Sequence, residues 1–489
     1  MEKNVVAVCK KDNLMDYGNE KEIFDLVKNT MLNYLETQYS SKCISTIIHP
    51  GETVLIKPNW VHELNFLVRF DKKIMENPND CFITNWNVVK AVIKLISEVD
   101  NLNIVILECP LQSCSIEKII TEEKLEELRL INQSNTITFI DGRRTKYIFG
   151  SKEPTILHEC RDADRYIDFD LKKESTHYPY ERYVSRFRVT DYPPDEMGRF
   201  HSKGHHVYRI AREVIEADCI INIPKIKTHM KAGMTAAMKN FVGVVGNKEC
   251  LPHHTKGSPV FGGDCYGDVS VLKSIAETTM DIANSYMTRN EKRYYYTRKC
   301  ALLLLYFRAV FGLDNDIGGS WYGNDTICRT IVDLNRIVYY GGKDKRMHKL
   351  PQRRVLSIVD GIVSGMGEGP MKPVPNHTGM ICISESTAGA DAVASEIIGL
   401  DSSKIRYLAE HRVCGGKYDL SVPYDTLLIN YNGRKTAFKD IKNYHPPIQI
   451  AQRWGGKIEK CPIENFTYFG QFICNLKRYP KYIKELLRL

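Results

Sequence analysis

The sequence predicts an α/β protein: a twisted, mostly parallel sheet with helices on both faces, and room for an inserted or second α/β subdomain. Three observations carry this expectation. Apolar runs of strand length recur along the chain, segments with helical spacing of apolar residues separate them, and the runs stop abruptly at Pro, Asn, Asp or Gly. With 489 residues, 43% of them hydrophobic and 26% charged, the chain has the composition of a large globular protein rather than a collagen, a coiled coil or a disordered polymer.

The first run, Thr53-Val54-Leu55-Ile56, lies between Gly51 and Lys57-Pro58-Asn59-Trp60 and fits a buried strand ending in a loop. Val88, Val89, Val92, Ile93 and Ile96 follow at helical spacing. Ile104 to Leu107 then gives a second strand, which stops at Glu108-Cys109-Pro110. A further helical pattern from Ile116 to Leu128 precedes a β-rich run from Thr136 to Ile140, so strands and helices alternate as in βαβ units. Between 146 and 206 the periodicity weakens while charge and aromatic content rise, which suits an insertion or a segment covering a substrate. Cys219 to Ile223 reads as another strand and opens directly into Pro224-Lys225-Ile226-Lys227-Thr228-His229. Val355 to Val359 ends at Asp360-Gly361, and Gly379 to Ser384 leads into a helix from Ala388 to Ile398. Helices are also expected at Ala301 to Phe311 and around Asp333 and Arg336. Residues 1–400 are therefore expected as one α/β region. Residues 401–489 read as an extension with a weak strand at Tyr424 to Leu428 and a basic aromatic tail, Phe466 to Leu489.

Lys and Arg number 68 against 59 Asp and Glu, a net charge of +9 that favours anionic partners without choosing among metabolites, nucleic acid and lipid. The 15 cysteines are scattered with no CxxC pair, which points to a reducing compartment and gives no spacing for an iron–sulfur cluster. The start of the chain lacks the apolar core of a signal peptide, and the longest apolar stretch, Ala301 to Phe307, falls far short of the roughly 20 residues that span a bilayer. A cytoplasmic protein is expected.

Four predicted strands end in polar residues: Lys57-Pro58-Asn59, Glu108, the Lys225 to His229 segment, and Asp360. Open α/β sheets bind ligands beyond such strand ends. The densest chemistry follows the third of these, where Lys225, Lys227, Lys231, Lys239, Lys248 and Lys256 stand against the single acid Glu249, with His229, His253 and His254 among them. Fixed ammonium groups and imidazoles beside glycines suit a phosphorylated or polycarboxylate ligand. A basic surface with structural glycines is the competing reading. Lys57, Asn59, Lys225, Lys227, Lys239, Asn240 and Lys248 are the expected anion-binding residues. Gly367 and Gly369 of Gly365-Met366-Gly367-Glu368-Gly369-Pro370 would form a ligand loop, or else a tight connection. His229 and His254 are candidate acid and base, with Asp264 or Asp360 to orient them. A divalent metal, if used, would sit among His229, His254 and Asp264, with His205-His206 as a further source of ligands. Cys109 and Cys265 are weighed as nucleophiles against the commoner role of small apolar filler. No Walker A loop, nucleophile elbow, HExxH or dinucleotide fingerprint is present.

These same segments resemble the DUF362 family. The marks are Ile56-Lys57-Pro58-Asn59, Ile223 to His229, Met238-Lys239-Asn240-Phe241-Val242-Gly243, and His253-His254 with Gly257. Asp360-Gly361-Ile362 with Glu368-Gly369-Pro370, and Gly389-Ala390-Asp391-Ala392-Val393-Ala394, add two further blocks. The family name records an unassigned function. Some members carry ferredoxin-like cysteine clusters, which this chain lacks, so no iron–sulfur cluster is expected. Gly318 to Asp325 and Arg329 to Asp333 resemble longer members associated with surface-polysaccharide biosynthesis, implying a phosphorylated or nucleotide-activated sugar. The functional expectation is an enzyme acting on a small anionic metabolite, with acid–base isomerisation or group transfer as reaction classes. The alternative is a noncatalytic factor that binds nucleic acid or, through the Phe466 to Leu489 tail, a membrane surface.

Overall fold

Burial alternates with a period of two along the central strands, and this sorts their side chains onto two cores. The computed structural model describes residues 5–14, 16–69, 77–148, 156–287 and 289–463. Eleven strands form the main sheet: β1 (Val5–Lys10), β2 (Thr53–Pro58), β3 (Asn103–Glu108), β4 (Thr136–Asp141), β5 (Cys219–Ile223), β6 (Lys225–His229), β7 (Gly233–Thr235), β8 (Arg354–Glu368), β9 (Lys372–Ser384), β10 (Leu428–Tyr431) and β11 (Arg434–Thr436). Their order is β11-β10-β1-β9-β8-β5-β2-β3-β4, with β6 beside the second half of β8 and β7 beside β6. The run from β8 through β5, β2 and β3 to β4 is parallel throughout. Antiparallel pairing enters at the β8–β9 hairpin and where β9 meets β1. The sheet is thus mixed but mostly parallel, as the sequence predicts.

Val5, Ala7, Val54, Ile56, Ile104, Ile106, Cys219 and Ile221 face one side. There they pack under α1 (Glu20–Tyr39), α2 (Trp86–Ile96) and α3 (Glu122–Arg129). Each helix starts where a side chain accepts an otherwise orphaned N–H: Asn19 from Glu22, Asn85 from Asn87, Thr121 from Lys124. Val6, Val8, Leu55, Ile220, Val355 and Cys382 face the other side. That side is covered by α4 (Ala237–Asn240), α7 (Thr326–Tyr340) and α8 (Thr387–Ile397). Between α4 and α7 the chain forms a helical hairpin, α5 (Val271–Ser285) and α6 (Glu291–Val310).

Four features differ from the sequence expectation. Val5–Lys10, which carries no strand signal beyond a short apolar run, is an interior strand. Lys225–His229 is a fully buried strand and not a polar loop, because Pro224 only interrupts the ladder and β6 resumes pairing with β8 at Lys225 opposite Asp360. The glycines from Gly365 to Gly369 belong to the β8–β9 hairpin. The weak strand expected at Tyr424 to Leu428 lies slightly later, at Leu428–Tyr431, and pairs in parallel with β1. Residues beyond 400 therefore build one edge of the main sheet. The segment from Tyr166 to Ala211 adds a small antiparallel sheet, and its Tyr166, Phe169 and Tyr208 are buried in the same core as α7. The tail from Phe466 to Leu489 lies outside the described residues.

Candidate functional site

The ends of β2, β3, β5 and the middle of β8 lie side by side, and each carries a polar side chain. Lys57 and Glu108 meet there as a buried ion pair, Nζ to Oε2 2.7 Å. The Trp60 and Cys109 N–H groups also donate to Glu108. Gly243 crosses directly over the pair, where a Cβ would lie 2.7 Å from Lys57 Nζ. One strand pair away, Lys225 Nζ is 2.6 Å from Asp360 Oδ2, and both residues are fully buried. Tyr17 donates to Asp360 at 2.5 Å and accepts from Lys225 at 2.6 Å, and the Asn85 N–H donates to the same carboxylate. Lys57 and Lys225 are therefore committed to internal carboxylates, and Asp360 is engaged inside the protein by the Tyr17 hydroxyl, the Asn85 N–H and the Lys225 ion pair, which suits a structural carboxylate rather than a base. Charges taken out of water this completely are held by their partners.

A second group of cations stands beyond these pairs without carboxylates. Among the described residues Lys227 reaches the Phe82 carbonyl and ring, Lys231 donates to Thr190 Oγ1 at 2.6 Å, and Lys248 to the Val242 and Val245 carbonyls, each at 3.2 Å. Lys239 has no hydrogen-bond or ion-pair partner among the described residues. Burial depresses all four, and their mutual repulsion adds to the effect for Lys227 and Lys239. Lys239 is only partly covered and is pushed down to about 7 by burial and then by Lys231 and Lys248.

Two imidazoles complete the group. His229 Nδ1 accepts from the Lys231 and Ala232 N–H groups at 2.9 and 3.2 Å, so its proton sits on Nε2 and that atom is a donor. His253 has the opposite tautomer: its Nδ1 lies 2.7 Å from the Leu251 carbonyl, which leaves the Nε2 lone pair free to accept. Burial and then Lys231 hold His253 down to about 3, and burial and then Lys239 hold His229 well below its usual range. The result is a donor-rich cluster, its members close enough to depress one another, with one imidazole N–H and one imidazole lone pair.

Its scaffold is polar too. Asn240 donates to the Lys57 and Pro58 carbonyls and to Asn222 Oδ1, and it accepts from Asn59 Nδ2 at 2.9 Å. These bonds tie the short helix α4, which carries Lys239, to the ends of β2 and β5. Asp391, from α8, accepts the Ala237 and Met238 N–H groups at 2.5 and 3.0 Å and caps α4 from outside.

Several predicted residues have other duties. Asp264 takes four donors, from Thr255, Asp325 and Thr326, and thereby caps the start of α7. His229, His254 and Asp264 do not gather their ligand atoms in one place; among the described residues His254 lies instead with Cys265 and Glu277. His206 stacks with His177 and lies tilted against His201. Gly367 and Gly369 form no anion-binding loop, because their N–H groups are taken by the Gln449 and Gly367 carbonyls. Gly369 is glycine because a Cβ would collide with the Thr228 carbonyl on β6. Cys109 is buried and its thiol is pushed up to about 12, which removes the thiolate a nucleophile needs. Tyr17, Lys231, His253 and Asp391 are the residues missing from the sequence-based site. Lys231 and His253 lie inside the lysine-rich segment and were legible as members of it, whereas nothing local marks Tyr17.

The family model of a domain of unknown function, DUF362, matches residues 180–396. Residues 180–396 thus match the DUF362 family, in line with the motifs read from the sequence. The matched segment holds Lys225, Lys227, His229, Lys231, Lys239, Lys248, His253, Asp360 and Asp391, and it leaves Lys57, Asn59 and Glu108 outside. A solved structure of a Thermotoga maritima protein is similar at 11% identity and a TM-score of 0.34; the alignment covers 78% of this chain and 58% of that one. The present chain thus spans a little over half the length of that relative. No curated protein matches.

Proposed function

We propose that this protein is an enzyme that binds a small polyanionic metabolite at the Lys227–His229–Lys231–Lys239–Lys248–His253 cluster. The observation that carries this reading is Lys239, an ammonium group with no partner among the described residues, placed beside other cations. Like charges gathered in a poorly solvated place raise the energy of the empty protein, and an anion that neutralises them is held by the same amount. A phosphate or a pair of carboxylates supplies that charge. A phosphorylated or nucleotide-activated sugar and a polycarboxylate are the fitting classes. His229 Nε2–H donates to the anion, and the His253 lone pair is the group available to take a proton in isomerisation or transfer. The test is the thermal transition of the purified protein with inorganic phosphate, citrate and a nucleotide sugar. At least one should raise the transition temperature of the native chain and fail to do so in a folded Lys239→Gln protein. No shift with any of them, or an equal shift in the variant, overturns the reading.

A second reading rests on the α5–α6 hairpin. Ile275, Ile282, Tyr296, Leu303, Phe307 and Val310 are exposed along it, with Arg289, Lys292 and Arg293 at its turn. No helix among the described residues is long and apolar enough to cross a membrane. Such a surface suits contact with an anionic bilayer face, and co-sedimentation with anionic but not neutral vesicles is its test.

A further inference from the structure

We infer that His254, Cys265 and Glu277 form a site for one divalent transition-metal ion, with Zn²⁺ the best match. Their ligand atoms all lie within 4.8 Å of one another and all three side chains are buried. His254 Nδ1 is buried with no hydrogen-bond partner. Burial, with Lys231 and His253 next, keeps the ring neutral, the form that binds a metal. Glu277 is the unusual member. It sits on the inward face of α5 with Lys273 and Ala276, it forms no ion pair among the described residues, and it receives the Gly257 N–H at 3.0 Å, the Tyr266 hydroxyl at 3.5 Å and the Cys265 thiol. A buried carboxylate without a cation is costly. A divalent ion held by that carboxylate and the Cys265 thiolate makes the site neutral overall, and the Cys265 proton leaves to solvent as the ion binds.

The loop between the first two ligands is built to hold them. Asp264 N donates to the Thr255 carbonyl and Asp264 Oδ1 accepts the Thr255 N–H, while Cys265 N donates to the Gly257 carbonyl. Gly257 and Gly262 take positive φ values of 91° and 75°, a geometry glycine adopts without strain. His254 and Cys265 are thus fixed side by side before any ion arrives. An imidazole, a thiolate and a carboxylate form the mixed donor set that Zn²⁺ accepts, and three protein ligands leave a fourth coordination position.

The test uses the full chain, reduced, stripped with a chelator and loaded with Zn²⁺ or Co²⁺. Elemental analysis should give one ion per chain, and the Co²⁺ form should show thiolate-to-metal charge-transfer absorption. Cys265→Ser should abolish that absorption, and Cys43→Ser, at an exposed thiol, should leave it intact. Glu277→Gln keeps the side-chain shape and should weaken binding by more than about 100-fold, beyond the loss of an outer-shell partner; this variant decides the matter if Cys265→Ser does not fold. A folded chain that takes up neither ion, or one whose binding and spectrum are unchanged in the variants, overturns the site and leaves Cys265 as a buried thiol that hydrogen-bonds the Ile317 carbonyl and Glu277. The phosphate and citrate experiment is independent of this result, since none of its lysines is a ligand here.

Discussion

The lysines of this chain fall into two kinds, and their partners decide which. Lys57 and Lys225 neutralise Glu108 and Asp360 inside the protein, so their value is to the fold. Removing one member of such a pair leaves a buried charge unmatched, and Glu108→Gln is expected to cost about 3–5 kcal/mol in denaturant unfolding. Lys239 is of the other kind. It titrates near 7 in the folded chain against 10.5 for the ordinary side chain. Between those values the unfolded chain carries the extra proton, so this group's contribution to stability rises with pH from about 7 to about 10.5. The native chain should therefore gain stability over that window relative to Lys239→Met, measured as the difference between their urea midpoints. An anion restores the proton, so its binding should take up protons above about pH 7 and weaken as pH rises. Calorimetric titration with phosphate in two buffers of different ionisation enthalpy measures that uptake directly.

At the scale of elements, the site depends on where α4 is pinned. The helix is one turn long and cannot hold itself together. Asp391 supplies its N-terminal acceptors from α8, and Asn240 fastens its other end to β2 and β5. Asp391→Asn turns one acceptor into a donor facing an N–H. Leaving a buried N–H without its acceptor costs about 1–3 kcal/mol, so this variant should melt earlier and also bind phosphate more weakly, because Lys239 is carried by the loosened turn. The β8–β9 hairpin is constrained in a different way. A methyl group at Gly369 meets the Thr228 carbonyl of β6, and backbone cannot move aside as a side chain can. Gly369→Ala is expected to cost about 1–3 kcal/mol, the usual range for overpacking, with a melting curve as the measurement.

Over the whole molecule, the sheet is assembled from both ends of the sequence. β1 lies between β9 and β10, and Trp454 and Ile458 pack beneath Gly233 next to β6. A chain ended after Leu400 loses β10, β11 and those side chains together. It is expected to be insoluble or to lack a cooperative thermal transition, checked by expression and circular dichroism. The sequence by itself determined the α/β class, the parallel strands β2, β3, β4 and β5, and the segment that supplies the cations, since each of these is written in local periodicity or local composition. It could not place β1 or β10, because a short apolar run says nothing about its neighbours across more than four hundred residues. Nor could it divide the lysines, since Glu108 and Asp360 lie far from Lys57 and Lys225 along the chain, and only the sheet brings each pair within hydrogen-bond reach. Asp264 and Cys265 show the same limit at one residue's distance: the backbone turns the first toward the start of α7 and the second toward His254. Which groups are neutralised, which are left charged and which face one another is a matter of three-dimensional proximity, and electrostatics in a poorly solvated interior acts through that distance alone.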